Sequence, residues 1–222
     1  KDNSSNDAKN VALSIAAVQS QSEAGAFDIA NLPMVSYPQR LDAESLSEIP
    51  ALQMHVLGGI LRAKVFADGQ YGDEKVQSIA FADENTPMAG AFKLDLTGLS
   101  DEASLIVTGL ASRTAKTQLS IPYAVPSSQE SAKDIYMILA PGTYDGTLSV
   151  TTEKAVYTQP FQCEMKRNAC YDASINLSTA ARESIDGWNG EGTAEAPYQV
   201  ATAEDLQRLI ALCNSDGGEY AE

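Results

Sequence analysis

The sequence predicts an all-β protein: an antiparallel two-sheet β-sandwich with Greek-key-like topology, followed by a linker and a short C-terminal helix of a truncated second module. Apolar and polar side chains alternate through many short segments, which is the pattern of half-buried strands. Gly, Pro and Asp residues separate these segments, as they do in turns. Because no helical segments lie between the strands, antiparallel pairing in two packed sheets is predicted rather than βαβ units.

The sandwich is predicted to span residues 11–178. Residues 1–10 are polar and rich in Asn, Ser and Asp, so they are predicted to form a flexible tail. The segment from Val11 to Val18 suits either a strand or a short helix, and we favour the strand. Asn31 to Tyr37 contains Pro33, which indicates an edge strand or an extended loop.

The clearest alternation lies between Met54 and Leu96, where three apolar runs are separated by Gly and Asp residues. In each run one face repeats every second residue. These faces are Leu61, Ala63 and Val65, then Gln77, Ile79 and Phe81, then Phe92, Leu94 and Leu96. We therefore predict a β-meander, in which each strand pairs with its neighbour in the sequence.

Six shorter segments beyond the meander are also predicted to be strands, because turn-forming residues bound each of them. They are Leu105 to Thr108, Thr117 to Tyr123, Asp134 to Leu139, Gly146 to Thr152, Ala155 to Thr158 and Ala173 to Leu177. The third and fourth of these flank two turn-forming dipeptides, Pro141-Gly142 and Asp145-Gly146. These two strands are predicted to form a hairpin-like pair.

The pattern changes after Leu177. Residues 179–197 are rich in Gly and small polar side chains, which is typical of an interdomain linker. Residues 198–222 are predicted to start a second module, with a capping strand and a helix whose first N–H groups Thr202 caps. Apolar residues of that helix recur at helical spacing: Leu206, Leu209, Ile210 and Cys213. Because so short a helix cannot bury this stripe by itself, we expect the chain to end just inside the second module.

The chain carries a formal net charge of −15 over 222 residues. Nucleic acid binds clustered Lys and Arg side chains, so this charge excludes nucleic acid as a partner. No apolar run approaches the roughly 20 residues that cross a bilayer, and the polar start lacks the apolar core of a signal peptide. If the protein is exported, a targeting segment has been removed, and membrane contact is expected only through a removed lipid anchor.

Several strings within residues 11–178 carry a family resemblance. LGGILRAKVF at 57–66 is followed by EKVQSIAF at 74–81 and PMAGAFKLDL at 87–96. Later strings are ILAPGTYDGTLSVTT at 138–152 and KRNACYDASINL at 166–177. Their order resembles the core strands, the hairpin and the closing strand of the fimbrillin-like proteins of Bacteroidales. A departure from that family is that no lipid-bearing cysteine is present.

A second resemblance lies in GWNGEGTAEAPYQVATAEDLQRL, residues 187–209. This segment is similar to the entry segment of GLUG-type and other right-handed β-helical repeats in large bacterial surface proteins. Glycines turn the chain there, a short strand begins at Tyr198, and a capped helix covers the end of the solenoid. No repeat follows in this chain.

Together the two resemblances imply a non-enzymatic protein of the cell surface or outer membrane, working as an adhesin or as a pilus-related structural subunit. Its partners would be other surface or pilus subunits, or host and glycan ligands. In such assemblies a sandwich with an incomplete sheet accepts a strand from its neighbour. The alternative is a glycan- or peptide-binding module of an outer-membrane nutrient-acquisition lipoprotein.

No catalytic residue, cofactor or metal site is predicted, since the sequence lacks a nucleophile elbow, a phosphate loop and a zinc-protease motif. Cys163 and Cys170 flank a predicted turn at residues 166–168. They either close a small loop as a disulfide or remain small half-buried thiols. Trp188 lies in the linker, where it either stacks on a sugar ring or plugs the junction between modules; we favour the plug.

Other polar residues are predicted to have structural roles. His55 lies in an apolar strand and is predicted to be a partly buried, hydrogen-bonded residue rather than a catalyst. Three acidic pairs could suggest calcium ligands or glycosidase carboxylates, but each falls in a predicted turn, so solvated charges are predicted instead. The pairs are Asp73-Glu74, Asp83-Glu84 and Asp101-Glu102.

Overall fold

The computed structural model describes residues 11–36, 54–68, 74–94 and 109–184, together with 194, 197–203, 205–207 and 210. The described part contains thirteen strands and one short 3₁₀ turn at Ile29–Asn31. The strands are β1 (Val11–Ile15), β2 (Val18–Gln21), β3 (Met34–Ser36), β4 (Met54–Val56), β5 (Gly59–Phe66), β6 (Lys75–Ala82), β7 (Gly90–Leu94), β8 (Thr114–Ala124), β9 (Asp134–Leu139), β10 (Gly142–Thr152), β11 (Ala155–Met165), β12 (Cys170–Asn176) and β13 (Ala181–Ser184).

Most of these strands form two sheets. A six-stranded sheet has the order β13-β11-β10-β6-β8-β2, and a three-stranded sheet has the order β12-β5-β9. Two further pairs, β1 with β7 and β3 with β4, complete the described strands. The protein is thus an all-β sandwich, as the sequence predicts.

One hydrophobic core joins the two sheets. The three-stranded sheet contributes its inward-facing Leu61, Ala63 and Val65, and the six-stranded sheet contributes Phe81 and other buried side chains. Alternation along each strand places these side chains on one face, so the residues between them point to solvent. Phe81 packs edge-to-face on Tyr144 with ring centroids 5.9 Å apart, a favoured geometry for aromatic pairs.

The predicted meander is wrong as a pairing, although its strands exist. β5 lies in the three-stranded sheet, β6 in the six-stranded sheet, and β7 pairs with β1. The predicted hairpin-like pair is also wrong, because β9 and β10 belong to different sheets and β10 pairs with β11 and β6 instead. In both cases strands that are consecutive in the sequence lie in different sheets.

The prediction of antiparallel pairing holds for most strands but not for two pairs. β12 runs parallel to β5, and β2 runs parallel to β8. Each parallel partner comes from a distant part of the chain, so no local turn constrains its direction.

A bulge interrupts the predicted face of β6. Ile79 and Phe81 are buried as predicted, but Gln77 is exposed and its neighbours Val76 and Ser78 are buried. The pairing of β6 with β8 shifts between Val76 and Ser78, which moves the inward face by one residue.

The C-terminal part of the sandwich extends further than predicted. β13 lies within the range 179–197, which the sequence assigns to a linker, and it pairs with Ala155–Thr158 of β11. Beyond it, residues 203, 205–207 and 210 are helical. Thr202 caps that segment: its Oγ1 accepts from Asp205 N–H at 3.1 Å, and Asp205 Oδ2 accepts from Thr202 N–H at 2.8 Å. The predicted tail at 1–10 and the predicted strand at 105–108 lie outside the described residues.

Candidate functional site

The outer face of the three-stranded sheet carries opposite charges on adjacent strands. Arg62 and Lys64 of β5 alternate with the core residues of that strand, so they point away from the core. The register places Asp172 of β12 opposite Arg62, and Asp134 of β9 opposite Lys64. The fold thus places two cations on the middle strand and one acid on each flanking strand.

Arg62 and Asp172 form a bidentate ion pair. Arg62 Nε donates to Asp172 Oδ1 at 2.6 Å, and Arg62 Nη2 donates to Asp172 Oδ2 at 2.9 Å. The hydrogen bonds from Arg62 lower the pKa of Asp172, and those to Asp172 raise the pKa of Arg62. Both groups therefore remain charged at neutral pH. Because both side chains are substantially exposed, the pair fixes geometry more than it adds stability.

Lys64 and Asp134 retain unused hydrogen-bonding capacity. Within the described part of the chain, Lys64 makes no hydrogen bond or close ion pair. Asp134 Oδ2 accepts from the Tyr136 hydroxyl at 3.3 Å, whereas Asp134 Oδ1 is shielded from solvent and accepts no hydrogen bond. An unsatisfied, shielded carboxylate oxygen is energetically costly.

These four charged residues line a groove of about 270 Å³. Its wall is completed by Gln129, Ala173 and Ser174. We call this feature the polar groove. It offers ammonium and amide donors, carboxylate acceptors, and a hydroxyl that serves as either.

Tyr136 of β9 lies opposite Arg62, at the margin of the polar groove. Phe27 packs edge-to-face on Tyr136 at 5.2 Å between ring centroids, and Phe27 remains 40% exposed. Burial, with a further contribution from Asp134, raises the pKa of Tyr136, so its hydroxyl keeps its proton and donates. The Tyr136 ring therefore gives the groove an aromatic margin beside its charged lining, whereas Phe27 lines a separate small pocket.

Two glutamines hold the β9 edge of this sheet. Gln19 Nε2 donates to the Ile138 carbonyl at 2.7 Å, and the Ile138 N–H donates to Gln19 Oε1 at 2.8 Å. Gln21 Oε1 accepts from the Tyr136 N–H at 2.9 Å, and its Nε2 donates to the Asp134 carbonyl at 3.2 Å. These bonds replace a missing neighbouring strand, so β9 and its groove residues are held firmly.

Neither of the two predicted disulfide cysteines, Cys163 and Cys170, lines the polar groove. Trp188 and Cys213 lie outside the described residues. Cys163 and Cys170 are free thiols on β11 and β12, which belong to different sheets, and the structure does not join them. Burial raises the pKa of both thiols. The turn predicted between them is present, and Asn168 adopts the left-handed conformation there with φ of 54°.

His55 is half-buried on β4, opposite Val35 of β3, and lies on neither face of the three-stranded sheet. Asp73, Asp101 and Glu102 lie outside the described residues, and Glu84 is exposed as predicted.

Two of the acidic residues predicted to be solvated are in fact buried. Glu74 accepts from the Tyr157 hydroxyl at 3.1 Å. Asp83 Oδ1 accepts from the N–H groups of Asn85 and Thr86, and its Oδ2 accepts from the N–H of Asp145 at 2.9 Å. These hydrogen bonds lower the pKa of Asp83. Both carboxylates therefore have structural roles, as they tie neighbouring strands and turns together.

The groove residues were missed because their meeting depends on which strands are neighbours. Alternation in the sequence already places Arg62 and Lys64 outward, between the apolar residues of β5. It does not show that β9 and β12 flank β5, because the three strands are far apart in the sequence. Among the described residues, no three His, Cys, Asp or Glu side chains come together as metal ligands.

No protein-family model matches the chain, and no curated protein matches it. Among solved structures, the chain is similar to one described as a putative cell adhesion protein from Bacteroides ovatus. The two are 14% identical, with a TM-score of 0.37, and the match covers 68% of this chain and 48% of the other. The chain thus spans about half the length of that protein. In the part of the chain that the structure describes, no helix is long and apolar enough to span a bilayer.

Proposed function

We propose that this protein is a non-enzymatic cell-surface adhesin, and that the polar groove is its contact site. The observation that carries the proposal is the arrangement of Arg62, Lys64, Asp134 and Asp172 on one solvent-facing sheet. The Arg62–Asp172 pair is already formed, and the glutamine bonds hold β9 in place. A contact site built on rigid strands loses little entropy when it binds, which favours recognition.

A bead assay tests this proposal. Beads coated with the chain are expected to adhere to epithelial cell layers or to other bacteria, and a variant with Arg62→Ala and Asp172→Ala is expected to adhere less. The matched control replaces Lys166 and Glu164, an exposed ion pair at the end of β11, by alanine. Equal adhesion of both double variants and of the parent would contradict the assignment of the groove, and no adhesion at all would contradict the adhesin.

A pilus-related structural subunit is the second candidate, and the margin of the six-stranded sheet favours it. β13 is a four-residue strand, pairs only with the first residues of β11, and is partly exposed. Arg182 of β13 is held by the Tyr157 hydroxyl, to which its Nε donates at 3.2 Å. A short strand at the margin of a sheet is a suitable place for strand exchange between subunits. Sedimentation velocity over a wide concentration range tests it: a monomer at every concentration counts against assembly.

A further inference from the structure

We propose that the polar groove binds a neutral saccharide, with neighbouring hydroxyl groups of one sugar unit bridging Lys64 and Asp134. This inference rests on the proposed adhesin function and specifies its ligand. It is derived from four properties of the groove: its charge balance, its unused hydrogen-bonding groups, its size and its aromatic border.

The charge balance of the groove favours a neutral ligand. Arg62 and Lys64 contribute two positive charges, and Asp134 and Asp172 contribute two negative charges, so the lining is neutral in sum. An anionic ligand gains from the cations but is repelled by both carboxylates, and a cationic ligand meets the reverse arrangement. The protein as a whole has a net charge of −15, which further disfavours polyanions.

The hydrogen-bonding groups of Lys64 and Asp134 that remain available suit the hydroxyl groups of a sugar. A hydroxyl group both donates and accepts, so one hydroxyl accepts from the Lys64 ammonium while its neighbour donates to the Asp134 carboxylate. Lys64 and Asp134 lie directly opposite each other on β5 and β9, which places their side chains side by side. Asp134 Oδ2 accepts a hydrogen bond from the Tyr136 hydroxyl and, as a carboxylate oxygen, has capacity for a second. Hydrogen bonds to such charged groups are the stronger kind.

Size and border agree with a sugar unit. The groove volume of about 270 Å³ is close to the roughly 300 Å³ at which small-molecule sites begin, so it accepts one unit of a chain rather than a long segment. Sugar rings carry an apolar C–H face, and the ring of Tyr136, which lies opposite Arg62 on β9, supplies an aromatic surface at the margin of the groove.

A printed array of neutral, sialylated and sulfated oligosaccharides, probed with the full chain, tests the inference, followed by calorimetric titration of the best neutral binder. We expect neutral oligosaccharides to bind. Lys64→Met and Asp134→Asn are each expected to weaken binding about 10- to 100-fold, since each removes a hydrogen bond to a charged group. The controls Lys93→Met and Glu84→Gln change exposed residues outside the groove and should leave affinity unchanged.

Circular dichroism and thermal unfolding establish that the groove variants are folded. If either variant fails to fold, amide chemical shifts of the parent protein on adding the neutral oligosaccharide provide the test, with changes expected in β5, β9 and β12. Changes elsewhere would overturn the proposal.

Three further outcomes would overturn the saccharide but leave the adhesin intact. They are no binding by any oligosaccharide, binding restricted to acidic ones, and bead adhesion that soluble neutral oligosaccharides do not compete. Binding by a neutral oligosaccharide without bead adhesion would instead keep the site and refute the adhesin.

Discussion

The two seams at which the sheets of the sandwich meet are closed by different means. At the first seam, β2 of the six-stranded sheet reaches β9 of the three-stranded sheet through the side chains of Gln19 and Gln21. At the second seam, the turn between β11 and β12 reaches the start of β5 through main-chain hydrogen bonds. One seam therefore depends on side-chain chemistry, and the other depends on how closely two backbones approach.

At the second seam, the Ile60 N–H donates to the Ala169 carbonyl at 2.9 Å, and the Asn168 N–H donates to the Gly58 carbonyl at 2.9 Å. Gly59 makes this approach possible, because a Cβ at that position would lie 2.7 Å from the Lys166 carbonyl oxygen and would collide with the Met165 side chain. This seam therefore requires a residue without a side chain at position 59.

The difference shows how a sandwich protects the edges of its sheets. An uncovered edge exposes main-chain donors and acceptors to other chains. The two glutamines cover β9 as a strand would, using side-chain amides that have the same donor and acceptor pair as a peptide group. Strand addition at β9 is thereby blocked, whereas β13 remains at the margin of the other sheet.

The largest effect is expected at the first seam. Gln19→Leu leaves the N–H and carbonyl of Ile138 buried without partners, so we expect a loss of about 3 kcal/mol in the free energy of unfolding. Urea denaturation measures it. The matched control is Gln118→Leu, an exposed glutamine on β8, with an expected change within about 0.5 kcal/mol. Equal losses for the two variants would show that the amide does not hold this seam.

The second seam is tested by adding a side chain. Gly59→Ala is expected to cost about 2 kcal/mol, because the new methyl group meets Met165 and the Lys166 carbonyl. In a Met165→Ala background the cost of the same substitution should fall, since the side-chain part of the collision is gone. Strictly additive losses in this double-mutant cycle would refute the close approach.

The hydrogen bonds of Asp83 depend on pH, unlike the uncharged contacts at the two seams. The pKa of Asp83 in the folded state lies below the ordinary carboxyl value. The stability that Asp83 contributes is therefore fully present above the ordinary pKa and is lost as the pH falls through the folded-state pKa. Asp83→Asn should cost about 1.5 kcal/mol at pH 7. As the pH falls below about 4, the ordinary carboxyl pKa, this variant should lose less stability than the parent. Unfolding curves measured across this range check it, with the exposed Glu84→Gln as the control. Parallel pH profiles for parent and Asp83→Asn would contradict this assignment.

The smallest effect is expected at Gln159. Its Nε2 donates to the Ser174 carbonyl at 2.9 Å, linking β11 to β12, but this bond is exposed. Water replaces it readily, so Gln159→Ala should cost about 0.5 kcal/mol in urea denaturation. A loss as large as that of Gln19→Leu would mean that exposure does not distinguish the two amide contacts.

Local patterns predicted where strands occur but not which strands pair. The bounds of β9 match the prediction at both ends, and the turn before β12 is where its residues place it. By contrast, side-chain polarity predicts the wrong face of β2 to be buried. Val18 is 61% exposed, whereas Gln19 is 2% exposed. Gln19 is buried because its amide is needed by β9, and the sequence of β2 contains no sign of that strand.

For the polar groove, too, the sequence predicted the local features but not which strands are neighbours. The outward positions of Arg62 and Lys64 were visible in the alternation of β5. The acids that face them come from β9 and β12, about 70 and 110 positions later in the chain. Charge pairing across strands depends on register, which long-range contacts set.

By itself, the sequence determined the β class, most strand positions and the acidic surface, because alternation and turn residues act over a few neighbouring positions. The tertiary structure alone decided the sheet order, the two parallel pairs, the glutamine seam and the polar groove. The physical reason is that a strand leaves its hydrogen-bonding groups unsatisfied along both edges. Only the folded chain determines which distant segment satisfies them.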